Sequence, residues 1–364
     1  MWDYQESERK GVAMKSGKQA MGVAPRITLK FLAQRLGLSR TTISIVLNNA
    51  PQASVIPQQT RDRILSAAKE FNYKPSFLGR SLNYGRTYLI GVISPDLSEG
   101  YTAGLLGGIE HALLDSEYQF FVASHHWSEQ RVLRTAQMFA ERSVEGIILI
   151  NTPFVPQVGL PMVQIGHHDD KLSGPSLVVD NRAGVLAAMT HLHGLGHRKF
   201  AFIRGHQDSS DSEDRWHAVQ AAAQKLSIAI DESLVVQLER LDMLALSAIE
   251  EGARCVERLI PRRGAFTALL AFNDMSAIGA TNRLAGAGWR IPEELSVVGF
   301  DDILESRITR PALTTVRQPL GKMGETAARE MIRCITGTPH SRTIVLVPEL
   351  VVRDSTAPAV TLDH

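Results

Sequence analysis

Cysteine is scarce in this chain of 364 residues, and its apolar runs are short. The two cysteines, Cys255 and Cys334, stand far apart in unrelated patterns, which excludes a disulfide framework and a Cys-x-x-Cys metal site and suits a reducing cytosol. No apolar run reaches the roughly 18 residues of a membrane span. The opening stretch, MWDYQESERKGVAMKSGKQAMGVAP, has no hydrophobic leader segment. It reads as a tail over residues 1–25, with Met14 and Met21 leaving room for a later translation start. Also missing are a Gly-x-Ser-x-Gly elbow, a Walker A loop and a Gly-x-Gly-x-x-Gly turn opening a helix after a strand. An enzyme is therefore not expected, and no cofactor is implied.

What the chain does have is an uneven distribution of charge. Residues 26–86 hold ten lysines and arginines against two acids, a net of +8, whereas residues 87–364 sum to −8. A basic head on an acidic body fits a module that meets phosphate while the remainder of the chain is repelled by it. With 44% hydrophobic residues, the length allows two or three domains and a sizeable core.

Within the basic head, residues 28–48 read TLKFLAQRLGLSRTTISIVLN. Thr28 is placed to cap a first helix whose Leu29, Leu32, Ala33 and Leu36 share one face. Gly37 breaks that helix, and Ser39 can accept an orphan backbone N–H at the start of a second. There Ile43, Val46 and Leu47 face inward, leaving Arg40, Thr41, Ser44 and Ile45 outward near its beginning. Two short helices about a glycine turn, with the outer face of the second free, are the pattern of a helix-turn-helix reader of DNA. After the loop NNAPQASVIPQQ, a third helix is expected over residues 60–71, with Ile64, Leu65, Ala68 and Phe71 at helical spacing. Residues 73–86, YKPSFLGRSLNYGR, read as a linker with latent helix, too short to be stable alone.

From residue 87 apolar strands alternate with amphipathic helices. Strands are expected at 88–94, 120–124, 146–150, 162–166, 177–180, 200–205, 268–274 and 295–302, which implies parallel sheet covered on both faces, in two α/β lobes. Strand carboxyl ends border the ligand crevice in such folds. That places Ser94, Asp96, Ser124, His125, His126, Gly166, His167, Asp180, Asp274, Asp301 and Asp302 near a cleft.

In this order, TLKFLAQRLGLSRTTISIVLN, TRDRILSAAKEFNYKPSFLGRSL, GVISPDLSEGYTAGLLGGIE, VDNRAGVLAAMTHLHGLGHRKFAFIRG, FNDMSAIGATNRLAGAGWRIPEELSVVGFDD and RPALTTVRQP resemble the lactose-repressor (LacI/GalR) family of bacterial transcription regulators. The resemblance implies an all-α helix-turn-helix head at 26–74, a hinge helix at 75–86, and a two-lobed α/β core with parallel sheets at 87–354. That core is like a type I periplasmic binding protein, and residues 355–364 form a tail. Crossovers between lobes are expected near 167–175, 302–308 and 331–342, giving an N-lobe of about 87–170 with 305–332 and a C-lobe of about 171–304 with 333–354. The family acts as a homodimer on near-palindromic duplex DNA, most often repressing a sugar uptake or catabolic operon, in the cytoplasm and on the nucleoid.

By the same resemblance the base-reading positions are Arg40, Thr41 and Ile45. Ile45 stands where arginine is common and offers only apolar contact, while Thr28, Ser39, Thr42, Ser44 and Asn48 suit phosphate positioning or capping. In the hinge, Leu82 matches the leucine wedged into a minor-groove step. Arg80 stands beside it, and Gly79 replaces a common alanine, weakening the hinge helix by about 1 kcal/mol. The implied effector pocket includes Asp274, Arg215, Tyr101 and Thr102, with Ser209, Asp211, His167, Asp302 and His126 behind them. Carboxylate and guanidinium groups hold hydroxyls and a flat ring stacks, a chemistry suited to a sugar or sugar derivative. HAV at residues 217–219 lacks the glycine usual there in the family, altering the local shape. Effector binding is expected to oppose or favour DNA binding through two-state allostery.

The histidines of HLHGLGH, residues 191–197, suggest metal binding, but His191 and His193 point to different faces of a helix, so no metal site is expected. The remaining alternative is a sugar-binding protein for transport or chemotaxis that binds no DNA.

Overall fold

A computed structural model of the chain describes residues 27–48, 50–73, 85–166, 174–207, 209–239, 248–338 and 342–359. The tail at 1–25, the hinge positions Gly79, Arg80 and Leu82, and the pocket position His167 lie outside the described residues. The chain divides into two units, residues 1–86 and 87–364.

In the first unit, α1 (Leu29–Leu36) begins where Thr28 Oγ1 accepts the Phe31 amide and ends at Gly37, whose φ of 63° is left-handed. The second helix, α2 (Arg40–Leu47), begins where Ser39 Oγ accepts the Thr42 amide at 3.0 Å. Both caps satisfy backbone donors that a helix start leaves without intrahelical partners. A 3₁₀ turn over Pro51–Val55 precedes α3 (Gln58–Glu70). Leu32, Ala33, Ile43, Val46, Ile64 and Ala67 form the core, and Phe31 meets Phe71 edge-on at 5.3 Å. The third helix departs from expectation. It starts two residues earlier, on Pro57, and turns Ala67 inward, while Leu65 is 51% exposed. Leu65 lies one residue from Ile64, about 100° around the helix, so the two cannot share the narrow buried stripe.

The second unit contains, among its described residues, two six-stranded sheets. The first is built from β1 (Leu89–Ser94), β2 (Gln119–Ser124), β3 (Gly146–Ile150), β4 (Met162–Ile165), β5 (Ser176–Val179) and β11 (Thr343–Leu346). Its order is β11-β5-β4-β3-β1-β2, parallel throughout. The second is built from β6 (Phe200–Arg204), β7 (Val235–Gln237), β8 (Ala268–Leu270), β9 (Ser296–Asp301), β10 (Thr314–Arg317) and β12 (Glu349–Val351). Its order is β12-β10-β9-β8-β6-β7, parallel except for the antiparallel edge strand β12. Helices α4 (Gly100–Leu113), α5 (Glu129–Glu141) and α11 (Leu320–Thr336) belong to the first lobe. The second lobe carries α6 (Asn181–Gly194), α7 (Ser210–Lys225), α8 (Ala248–Cys255), α9 (Asp274–Gly286) and the short α10 (Leu304–Ile308). Near-continuous burial of β1, β3, β4 and β9 follows from helices covering both sheet faces. Helices α4 and α11 come into backbone contact because Gly108 and Gly324 face each other's chains, where a Cβ would strike the Gly321 and Leu105 carbonyl oxygens.

Three expectations change. Strand β8 stops at Leu270, because Asn273 caps α9 in a reciprocal box with Ser276, making Asp274 the first helical residue rather than a strand end. The crossovers lie at residue 180, at 318–319 and at 347–348: β5 and β11 pair within the first sheet, β10 and β12 within the second. Long-range pairing, not local pattern, fixes those memberships. The tail expected from 355 is, through residue 359, part of the second lobe: Ser355 Oγ donates to the Val297 carbonyl and accepts the Thr314 amide, and the Ala359 amide reaches the Leu195 carbonyl.

Candidate functional site

On the head, Arg40 and Thr41 are exposed at the first turn of α2, and Ser44 and Ile45 are part-exposed. Thr42 is drawn into the cap, its hydroxyl 2.9 Å from Ser39 Oγ. The Asn48 amide donates to Ser44 Oγ at 3.1 Å, so these two brace the far end of the helix. Thr28 and Ser39 are N-caps, whose neighbouring amides are what a phosphate oxygen meets at a helix start. Arg40 and Thr41 thus remain as the projecting polar pair, with Ile45 one turn on.

In the body, a cavity of about 180 Å³ opens between the carboxyl ends of the two sheets. From the first lobe come Asp96, Tyr101, His126, Trp127 and Asn151; from the second, His206, Asp211, Arg215, Phe272 and Asp301. This is where an open α/β sheet places a ligand, because strand ends and the loops after them converge there.

Arg215, 6% exposed, is the fixed cation of the site. Its Nε donates to Asn181 Oδ1 at 3.0 Å and one terminal nitrogen to the Phe272 carbonyl at 2.7 Å. Its guanidinium lies over the Phe300 and Phe272 rings at 3.9 and 4.7 Å. The other terminal nitrogen is 3.9 Å from Asp301 Oδ1. Asp301 closes β9 with φ of 125°, a conformation that L side chains rarely adopt, and accepts from Gln318 Nε2 at 2.6 Å. Burial pushes the Asp301 carboxyl well up. Arg215 and Gln318 oppose that shift, and neighbouring Asp274 and Asp211 reinforce it. Burial, with Asp211 and Asp301 nearby, likewise keeps the Tyr101 phenol protonated.

The pocket positions expected from sequence separate into two groups. Tyr101, His126, Ser209, Asp211 and Arg215 line the cavity. Thr102, 1% exposed, is buried on α4 away from it. Asp274 is fully buried beneath the floor: it accepts from Thr315 Oγ1 and the Ile303 amide, and burial raises its pKa to about 6. Asp302 turns the other way from Asp301 and binds Arg307 at 3.0 Å, Arg317 at 2.6 Å and Arg353. Burial would raise its carboxyl, but hydrogen bonds from Arg353 and Arg317 hold it below the usual range. The acid facing the cavity from this region is therefore Asp301, not Asp274 or Asp302. Asn151, Trp127, His206, Glu251 and Phe272 were not among the expected pocket residues; the loops that carry Trp127, Asn151, His206 and Phe272 follow strands β2, β3, β6 and β8, a signal the strand-end rule contains, whereas Glu251 comes from within α8.

His191 shares a hydrogen bond with Thr356 at 3.0 Å, and His197 is buried between Thr267 and Ser296 at 2.8 and 3.0 Å. Among the described residues no group of three or more His, Cys, Asp or Glu is arranged to hold a metal, and no helix is long and apolar enough to cross a membrane.

Comparison with known proteins agrees with this architecture. Residues 28–76 match the bacterial regulatory proteins of the lacI family, and residues 189–356 match the periplasmic binding protein-like domain. The transcriptional repressor PurR of Haemophilus influenzae is 29% identical over 345 residues, covering 90% of this chain and 98% of that protein. The transcriptional regulator DegA of Bacillus subtilis is 29% identical over 344 residues, covering 92% and 99%. Among solved structures, the lac repressor dimer bound to operator and the anti-inducer ONPF superposes with a TM-score of 0.79 at 23% identity, over 91% of this chain and 99% of that one. The regulator CelR in complex with cellobiose gives 0.67 at 27% identity, over 91% and 100%. The head motif and its regulator relatives favour DNA binding over a transport-only sugar carrier. With a lacI-family helix-turn-helix domain at residues 28–76 and a periplasmic-binding-like domain at residues 189–356 on one polypeptide, the chain is a DNA-binding transcriptional regulator.

Proposed function

We propose that this regulator is a repressor whose operator affinity is set by a small polar effector held in the interlobe cavity, and that it has no catalytic role. The observation that carries this reading is the buried Arg215–Asp301 pair at the junction of the two lobes. A fixed guanidinium can donate to the hydroxyls of a sugar or sugar derivative, and the Asp301 carboxyl can accept from them. Aromatic surface from Trp127 and Phe272 offers the flat contact that such ligands use. Gln318, the first residue of the second crossover, holds Asp301, so a ligand taking that carboxyl changes a bond that ties the lobes together. Differential affinity for two lobe arrangements is what population shift requires.

The chain acts as a homodimer on near-palindromic duplex DNA, in the cytoplasm and on the nucleoid, with a head at 26–74, a hinge at 75–86 and a core that runs from 87 through 359. Arg40 and Thr41 read base edges, Ile45 makes apolar contact, and Thr28, Ser39, Thr42, Ser44 and Asn48 position the phosphates or the helix that meets them. Gly79, Arg80 and Leu82 form the hinge contacts with the operator. Selection of duplexes from a random pool by the full chain tests this: a two-fold-related pair of half-sites is expected, with binding that weakens steeply as salt rises. Enrichment of no sequence would overturn it.

A further inference from the structure

We propose that the interlobe cavity selects cationic, amine-bearing ligands and rejects phosphorylated and carboxylated ones. This builds on the reading above, that a small effector occupies the cavity. Among the described residues, four carboxylates border it, Asp96, Glu99, Asp211 and Glu251, beside Asp301, whose carboxyl burial pushes well up, against one permanent cation, Arg215. Two of its nitrogens are already engaged by Asn181 and the Phe272 carbonyl, and its plane lies over two aromatic rings. Glu251 and Asp96 each face a histidine rather than a lysine or arginine: His206 at 2.8 Å and His126 at 3.8 Å.

The two acids also come from different lobes, Asp96 from the loop after β1 and Glu251 from α8. An ammonium group between them answers charge on both sides of the cleft, whereas a phosphate adds to a like-charge excess inside walls of low dielectric. The carboxylates already sense one another: after burial, Asp274 and Asp211 add to the upward shift at Asp301.

Two measurements on the full chain test the proposal. In Trp2→Phe protein, Trp127 is the part-exposed indole at the cavity, since Trp216 and Trp289 are 8% and 4% exposed. Caesium is expected to quench its fluorescence about threefold more effectively than iodide, a preference abolished in D96N/E251Q. Equal or stronger quenching by iodide overturns the proposal. Calorimetry then compares glucosamine, galactosamine and mannosamine with the parent hexoses and their 6-phosphates. The best amine is expected to bind about tenfold tighter than its parent, as a charge-assisted hydrogen bond requires, with no binding of the phosphates. A parent hexose or phosphate that binds as tightly as the amine overturns it. Binding of none of these sugars, with the caesium preference intact, contradicts the sugar-type effector of the preceding subsection while supporting charge selection by the cavity.

Discussion

Gln318 Nε2 donates to Asp301 Oδ1 across 2.6 Å, joining the last residue of β9 to the crossover between β10 and α11. Just before it, Arg317, the last residue of β10, binds Asp302, so consecutive acids at one strand end hold the consecutive residues at which the chain leaves β10 for the other lobe. Asp301 faces the cavity and Asp302 faces the arginine cluster. What a ligand does to the first is therefore felt by the segment the second anchors. Gln318→Leu removes the donor while keeping bulk. We expect it to cost about 1–3 kcal/mol of stability, the range for a buried acceptor left unmet, and to weaken ligand control of DNA binding. Thermal unfolding and operator anisotropy with and without ligand measure both.

The division of labour between Asp274 and Asp301 gives a second prediction. Asp301→Asn should raise the dissociation constant of a cavity ligand about tenfold or more, because a ligand-facing carboxyl is lost. Asp274→Asn should lower stability, since both its oxygens accept buried hydrogen bonds, yet leave ligand affinity within about twofold. Calorimetric titration of the two folded variants separates them.

Asp302 is a buried carboxylate with three arginines. Removing it leaves Arg353, 14% exposed at its side chain, without its counter-ion. Asp302→Ala is expected to cost about 3 kcal/mol by chemical denaturation, at the lower end for breaking a buried pair because Arg307 and Arg317 remain partly in water.

The two neighbouring acids also make opposite contributions to pH dependence. Asp302 has a folded pKa below its unfolded value, so its contribution is present above about pH 4 and is lost on acidification through the folded pKa. Asp301 has a folded pKa raised well above its unfolded value; its contribution is present below about pH 4 and declines as pH rises toward the folded pKa. Asp301→Asn should therefore flatten the loss of stability as pH rises above about 4, and Asp302→Asn should flatten the loss on strong acidification. Melting temperatures as a function of pH check both signs.

On the head, Arg40→Ala is expected to cost about 1–3 kcal/mol of operator affinity and relax selectivity at one base pair per half-site, as loss of a base-edge contact does. Ser39→Ala should instead cost about 1 kcal/mol of head stability through the lost cap, lowering affinity without altering sequence preference. Affinities for point-substituted operators distinguish the two.

The sequence made the head legible because its signals are local: Thr28, Gly37 and Ser39 act on backbone groups within three or four residues. Ile64 was placed by period, but Leu65 was misassigned since the helix start at Pro57 sets which residues share the buried stripe. Long apolar strands such as 146–150 were equally plain. The short or mixed strands β7, β10, β11 and β12 were not, because their pairing partners lie far away in sequence. The same reason moved the crossovers. Arg215 and Tyr101 were found through the family resemblance, while the choice of Asp301 over Asp274 depended on where β8 ends and on the Asn273–Ser276 cap, features that only the packed structure resolves.

Reciprocal linkage tests the account most directly. The dissociation constant of the tightest cavity ligand from the sugar and amino-sugar panel is measured by calorimetry on the full chain, free and saturated with its selected operator. The account predicts that the two constants differ by about 5- to 150-fold, with the same factor appearing in operator affinity when ligand is saturating. Identical constants would contradict control of DNA binding through the interlobe cavity.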